Sequence, residues 1–176
     1  AAVAAISEVL GESLVSNDGS PIEVVVGRLL KDRGACLAVA ESCTGGLTSS
    51  RLTDVSGSSG YLHSGWVVYS DEAKVKTLGI DCRLIKDHGA VSKEVAEAMA
   101  ISARELAGVQ YALGITGIAG PAGGSAEKPV GTVWIALVGP NSLRQTRLFR
   151  LSGERANIKY QASQEALDLL RRVLLQ

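Results

Sequence analysis

The chain has 176 residues, 46% of them hydrophobic and only 4% aromatic, with 18 basic and 18 acidic side chains and so no formal net charge. That apolar content excludes a wholly disordered chain, the neutral balance excludes gross electrostatic capture of nucleic acid or acidic membrane, and the few aromatics exclude a stacking platform along single strands. No uninterrupted apolar run approaches the roughly 20 residues of a membrane span, and the length suits one domain with a short appendage.

In chain order, residues 1–15 read as a weakly amphipathic, alanine-rich helix closed by a turn at 16–19. A helix start follows, with Ser20 as N-cap, Pro21 at the first helical position and Glu23 completing a capping box. Ile22, Val25, Val26, Leu29 and Leu30 form its apolar stripe, and Gly34 is a left-handed stop. Residues 36–40 are apolar without alternation, as in a strand buried on both faces. A short helix is expected at 47–53, a strand at 61–69, a helix over 71–78 capped by Ser70, an irregular stretch at 79–89, and a helix capped by Ser92. Strands are expected at 111–115, 132–138 and 143–151, the last two joined as a hairpin, and a long helix over 154–175. Helices interleaved with strands predict an α/β fold in which the late hairpin supplies an antiparallel member.

The odd set Cys36, Cys43 and Cys82 contains no C-x-x-C pair, which argues against a disulfide framework or zinc ribbon and for a reducing cytoplasm. No signal-peptide pattern is visible, and no cluster has metal-ligand spacing.

Three polar loops leave the C-terminal ends of successive predicted strands, at 41–46, 69–74 and 116–125, and in open α/β sheets that edge is where ligands bind. The first carries Ser42, Cys43 and Thr44 before Gly45 and Gly46. It reads either as an exposed nucleophile beside helix N–H donors or as an ordinary capped helix. Cys43 is a rival nucleophile, although adjacent turn residues usually point apart. Lys74 falls in the first turn of a helix, where the dipole disfavours a cation, so it is either a candidate general base or a solvated surface lysine. The third loop holds Gly117, Gly120, Gly123 and Gly124, and matches neither dinucleotide nor phosphate-loop spacing. The histidines are His63 and His88; a Ser-His-Asp or Cys-His triad stays open but lacks a G-x-S-x-G elbow, and His88 suits a structural hydrogen bond.

The blocks AESCTGG at 40–46, YSDEAK at 69–74, HGAVS at 88–92 and ITGIAGP at 115–121, continued by GGS at 123–125 and KPVG at 128–131, resemble the CinA C-terminal domain family, in the family's order. The resemblance covers about residues 22–175. It implies a three-layer α/β/α sandwich on a mixed, mostly parallel sheet of about five strands. It divides the chain into an N-terminal helix or linker at 1–19, the tail of a preceding domain, and an amidohydrolase domain at 20–176. The family includes PncC-type nicotinamide mononucleotide (NMN) deamidases, which hydrolyse the carboxamide to nicotinate mononucleotide and ammonia without metal or organic cofactor. Carried over, Ser42 is the nucleophile, Lys74 its general base and Tyr69 an assistant to the pair. Thr44, Gly45, Gly46, Thr116, Gly117 and Arg155 bind substrate, with Arg155 either reaching its phosphate or helping to position it. The resemblance also implies a cytoplasmic homo-oligomer, with no nucleic-acid or membrane partner, fused in full-length relatives to a molybdopterin-binding-like domain. Two positions depart from the family: Glu154 stands where relatives have Asp, and Ser64 where they often have Arg. The alternative expectation is a non-catalytic nucleotide-binding or oligomerisation module of a multidomain protein.

Overall fold

The computed structural model describes residues 14–176 together with Val9 and Gly11, so most of the helix expected at 1–15 lies outside the described residues. In order, the elements are α1 (Ile22–Asp32), β1 (Leu37–Glu41), α2 (Leu47–Thr53), a 3-10 turn (Ser58–Gly60), β2 (Leu62–Val67), α3 (Asp71–Leu78), α4 (Cys82–His88), α5 (Lys93–Ala107), β3 (Tyr111–Gly117), β4 (Thr132–Val138), β5 (Arg144–Arg150) and α6 (Arg155–Leu174). The sheet order is β2-β1-β3-β4-β5. β1 pairs parallel with β2 and β3, and the β3–β4 and β4–β5 pairs are antiparallel. This is the mixed five-stranded α/β fold the resemblance implied.

Side-chain alternation along the strands builds two different cores. Leu37 and Val39 of β1, Leu113 and Ile115 of β3, and Ile135 and Leu137 of β4 pack with α1 and α6. The opposite face presents small residues in register: Ala40 beside Gly114, and Gly114 beside Ala136. That strip lets α5 come close. A Cβ at Gly114 would overlap the Ala96 carbonyl oxygen and sit 2.7 Å from the Ala100 nitrogen. Met99, Ala100 and Ala103 of α5 are fully buried there.

Ser70 and Ser92 cap as expected, their hydroxyls accepting from Ala73 N–H at 3.0 Å and Val95 N–H at 3.3 Å. Two expectations fail. The first helix begins at Ile22 with Pro21 outside it in an extended conformation, and no side chain caps it. Glu23 does not close a box because its carboxylate accepts instead from Arg51 at 2.7 Å, supplying the counter-charge that this buried guanidinium requires. The stretch 79–89 is not irregular throughout, since Asp81 accepts from Arg83 N–H at 2.8 Å and starts α4.

Candidate active site

The parallel strands β1, β2 and β3 deliver their C-terminal ends to one edge. β4 reverses and β5 reverses again, so β5 also ends there and brings Gly153–Arg155 with it. A cavity of about 210 Å³ opens at this edge, with Ser42, Cys43, Tyr69, Asp71, Lys74 and Arg155 among its walls. Thr116 and Gly117 close it from the end of β3, Ala119 from the loop beyond, and Ala90 and Val91 from the turn before α5.

Ser42 follows β1 directly, its N–H donating to the Ile115 carbonyl at 2.9 Å and its carbonyl accepting from Gly45 N–H at 3.1 Å. The backbone is thus pinned to the sheet and to the next turn. The hydroxyl holds no hydrogen bond among the described residues.

Lys74 is 1% exposed. The Ser70 cap fixes where α3 starts, which places Lys74 in its first turn and directs its side chain inward. Its Nζ donates to the Tyr69 carbonyl at 3.3 Å and lies 3.5 Å from Asp71 Oδ1. Lys74 and Ser42 share the cavity without a hydrogen bond between them. The reading of Lys74 as a solvated surface residue is excluded by its burial.

Tyr69 meets the site in two ways. Its carbonyl touches Lys74, whereas its largely exposed phenol oxygen accepts from Arg155 at 2.8 Å. The second Arg155 nitrogen donates to the Gly120 carbonyl at 2.7 Å, so Arg155 straps the glycine-rich loop to the loop after β2. Thr116 donates to the Ala90 carbonyl at 2.8 Å, and Lys128 donates to the carbonyls of His88 at 3.0 Å and Val91 at 2.8 Å. These bonds hold the 88–91 wall in place.

The glycine turn behaves differently from its sequence reading. Thr44, Gly45 and Gly46 do not line the cavity. The fully buried Glu41 carboxylate takes the donors at the start of α2: Gly46 N–H at 3.1 Å, Thr48 N–H at 3.0 Å and Ser49 N–H at 2.8 Å, with the Ser49 hydroxyl at 2.7 Å. With Gly45 N–H spent on Ser42, the Gly45 and Gly46 donors are not available as an oxyanion hole. The Cys43 and Thr44 N–H groups lie against the Cys43 sulfur, and Thr44 is outside the cavity wall. Cys43 is buried, and that burial pushes its thiol up to about 12. Thiolate chemistry is therefore suppressed beside a serine whose hydroxyl is uncommitted.

Sequence reasoning missed Glu41, Asp71 and the Ala90–Val91 wall. Glu41 carried a signal, since a carboxylate just ahead of a helix start is a natural acceptor for its N–H groups. His88 packs 3.6 Å from Glu94, away from Ser42, and His63 Nδ1 lies 2.9 Å from Ser64 Oγ on edge strand β2. Ser64 does not line the cavity. Among the described residues, no group of three or more His, Cys, Asp or Glu side chains could hold a metal ion, and no helix is long and apolar enough to cross a membrane.

Comparison with known proteins adds the family. The chain matches the CinA C-terminal domain over residues 19–174. It belongs to that family. It is 52% identical over 167 residues to a CinA-like protein of Geotalea daltonii, covering 95% of this chain and 40% of that protein. A CinA-like protein of Geobacter sulfurreducens is 48% identical over 170 residues, covering 97% and 41%. The chain thus spans about two fifths of the length of these relatives. Among solved structures, the competence/damage inducible protein CihA of Agrobacterium tumefaciens superposes with a TM-score of 0.83 at 38% identity, over 88% of this chain and 96% of that one. A CinA superfamily protein of Escherichia coli gives 0.80 at 30% identity, over 95% and 98%.

Proposed function

We propose that this CinA-family chain is an amide hydrolase acting on NMN, releasing ammonia and nicotinate mononucleotide through Ser42 and Lys74. The observation that carries the reading is the shared cavity, in which an uncommitted serine hydroxyl and a buried lysine amine face the same space.

Lys74 Nζ, as general base, accepts the Ser42 proton as Oγ attacks the carboxamide carbon, and the carbonyl electron pair moves onto oxygen. The glycine-turn donors being taken, the backbone N–H groups of the loop that starts at Thr116, where Gly117 and Ala119 line the cavity, are the donors offered to that oxyanion. The Lys74 ammonium then protonates the departing amine, the C–N bond breaks and ammonia leaves. Water attacks the resulting ester with Lys74 again as base, and the proton returns to Ser42 Oγ as the acid departs. Arg155 and Tyr69 hold the rim that orients the substrate, and Thr116 fixes the wall opposite. Assembly as a homo-oligomer, and attachment to a further domain in a longer protein, belong to the same proposal.

Ammonia release from NMN, measured for the chain and for Ser42→Ala, tests it. The variant is expected to retain its circular dichroism spectrum and to lose at least about a thousandfold in rate. Release at the parent rate would refute the assignment. Calorimetric binding of NMN by the parent chain without ammonia release would favour the binding-module reading, for which the missing Ser42–Lys74 hydrogen bond speaks.

A further inference from the structure

The cavity around Ser42, at about 210 Å³, is smaller than the roughly 300–1,000 Å³ typical of sites that enclose a whole small ligand. It has room for an amide and the ring that carries it, so the rest of a nucleotide-sized substrate must lie outside. A second cavity, of about 740 Å³, opens beside it and shares Ala119 and Arg155 as walls. Pro121, Val130 and Ala156 give it apolar sides, and its other charged groups are Glu154 and Lys159.

Its two cations differ in commitment. Arg155 spends two nitrogens on the Gly120 carbonyl and the Tyr69 hydroxyl. Lys159 makes no hydrogen bond or ion pair among the described residues. It is half-buried on α6, one helical turn beyond Arg155 and therefore on the same helix face. Its amine reaches the turn after the nucleophile, since a Cβ at Gly45 would lie 3.4 Å from Nζ. A half-buried ammonium without a counter-charge is held at a cost that an anionic ligand group would offset. Glu154 borders the same cavity with the opposite sign, so Arg155, Lys159 and Glu154 together leave one net positive charge, which suits a phosphate monoester.

We infer that the wider cavity is the second half of the substrate site, and that Lys159 binds a phosphate ester carried on the part of the substrate remote from the cleaved amide. This rests on the amide-hydrolase reading of the Ser42 cavity. The apolar walls hold the body of the molecule between the two ends, and Lys159 sets the preference for the phosphorylated over the dephosphorylated amide.

The test is calorimetry of NMN and nicotinamide riboside in the Ser42→Ala background, with Lys159 intact or changed to Met or Arg. Lys159→Met should weaken NMN binding at least about tenfold and riboside binding less than about twofold, while Lys159→Arg stays within about threefold for both. Unchanged NMN binding, equal loss on both ligands, or NMN binding no tighter than the riboside with Lys159 intact would overturn the inference. Turnover separates the two claims. Ser42-dependent ammonia release with an unaltered KM for NMN in Lys159→Met removes the subsite and leaves the hydrolase. Absent ammonia release with phosphate-selective binding lost in Lys159→Met removes the hydrolase and leaves the subsite.

Discussion

Ser42 and Cys43 are neighbours in sequence with opposite fates. Ser42 opens onto the cavity, whereas the Cys43 side chain turns into the core beneath α1 and α6. Burial holds its thiol near 12, so it stays protonated through the neutral range. Cys82 is exposed on α4. A maleimide applied to the folded chain at pH 7.5 should label Cys82 readily and Cys43 at least about a hundredfold more slowly, as read by peptide mass spectrometry. Cys43→Ala should retain ammonia release within about threefold, because that thiol carries no step. Fast labelling of Cys43 coupled to loss of activity would restore the thiol mechanism. Sequence alone left the two nucleophiles open because either could have faced outward. The sheet decides: Ser42 N–H bonds to Ile115, which fixes the orientation of the turn that follows.

At the scale of elements, the close approach of α5 to the sheet depends on Gly114, whose small neighbours across the sheet are Ala40 and Ala136. Gly114→Val would drive methyl groups into the backbone of α5 at Ala96 and Ala100. Overpacking of this kind costs about 1–3 kcal/mol or more, so the urea midpoint should fall with little change in slope. A variant as stable as the parent would show that α5 does not sit on the strip. Elements with local signals were legible in the sequence. Ser70 and Ser92 announced α3 and α5 because a cap is a contact within a few residues. α4 was not, since seven residues offer less than two turns of periodicity around Leu84 and Ile85. The start of α1 was misread because Glu23 answers to Arg51, 28 residues away, and no local pattern reports that pairing. The role of Glu41 was hidden for a related reason: Gly46, Thr48 and Ser49 converge on it only once α2 has turned back.

Across the whole molecule, topology assembles the site. Three parallel strands set their loops on one edge, and the double reversal through β4 and β5 returns Arg155 and Lys159 to it. The convergence of the three loops was readable from strand order, and the Ser42–Lys74 pairing came from the family resemblance. The second cavity was not readable, because Lys159 looks like any solvent-facing helical lysine until α6 is docked. In the proposed reaction Ser42 and Lys74 work as one unit on an amide. The most direct test is a double-mutant cycle on ammonia release from NMN with Ser42→Ala, Lys74→Met and the combined variant. Groups acting in one proton-transfer step are strongly non-additive, so each single change should cost about a thousandfold or more and the pair scarcely more than either alone. Either single variant working within about tenfold of the parent, or losses that multiply fully in the double variant, would contradict the account.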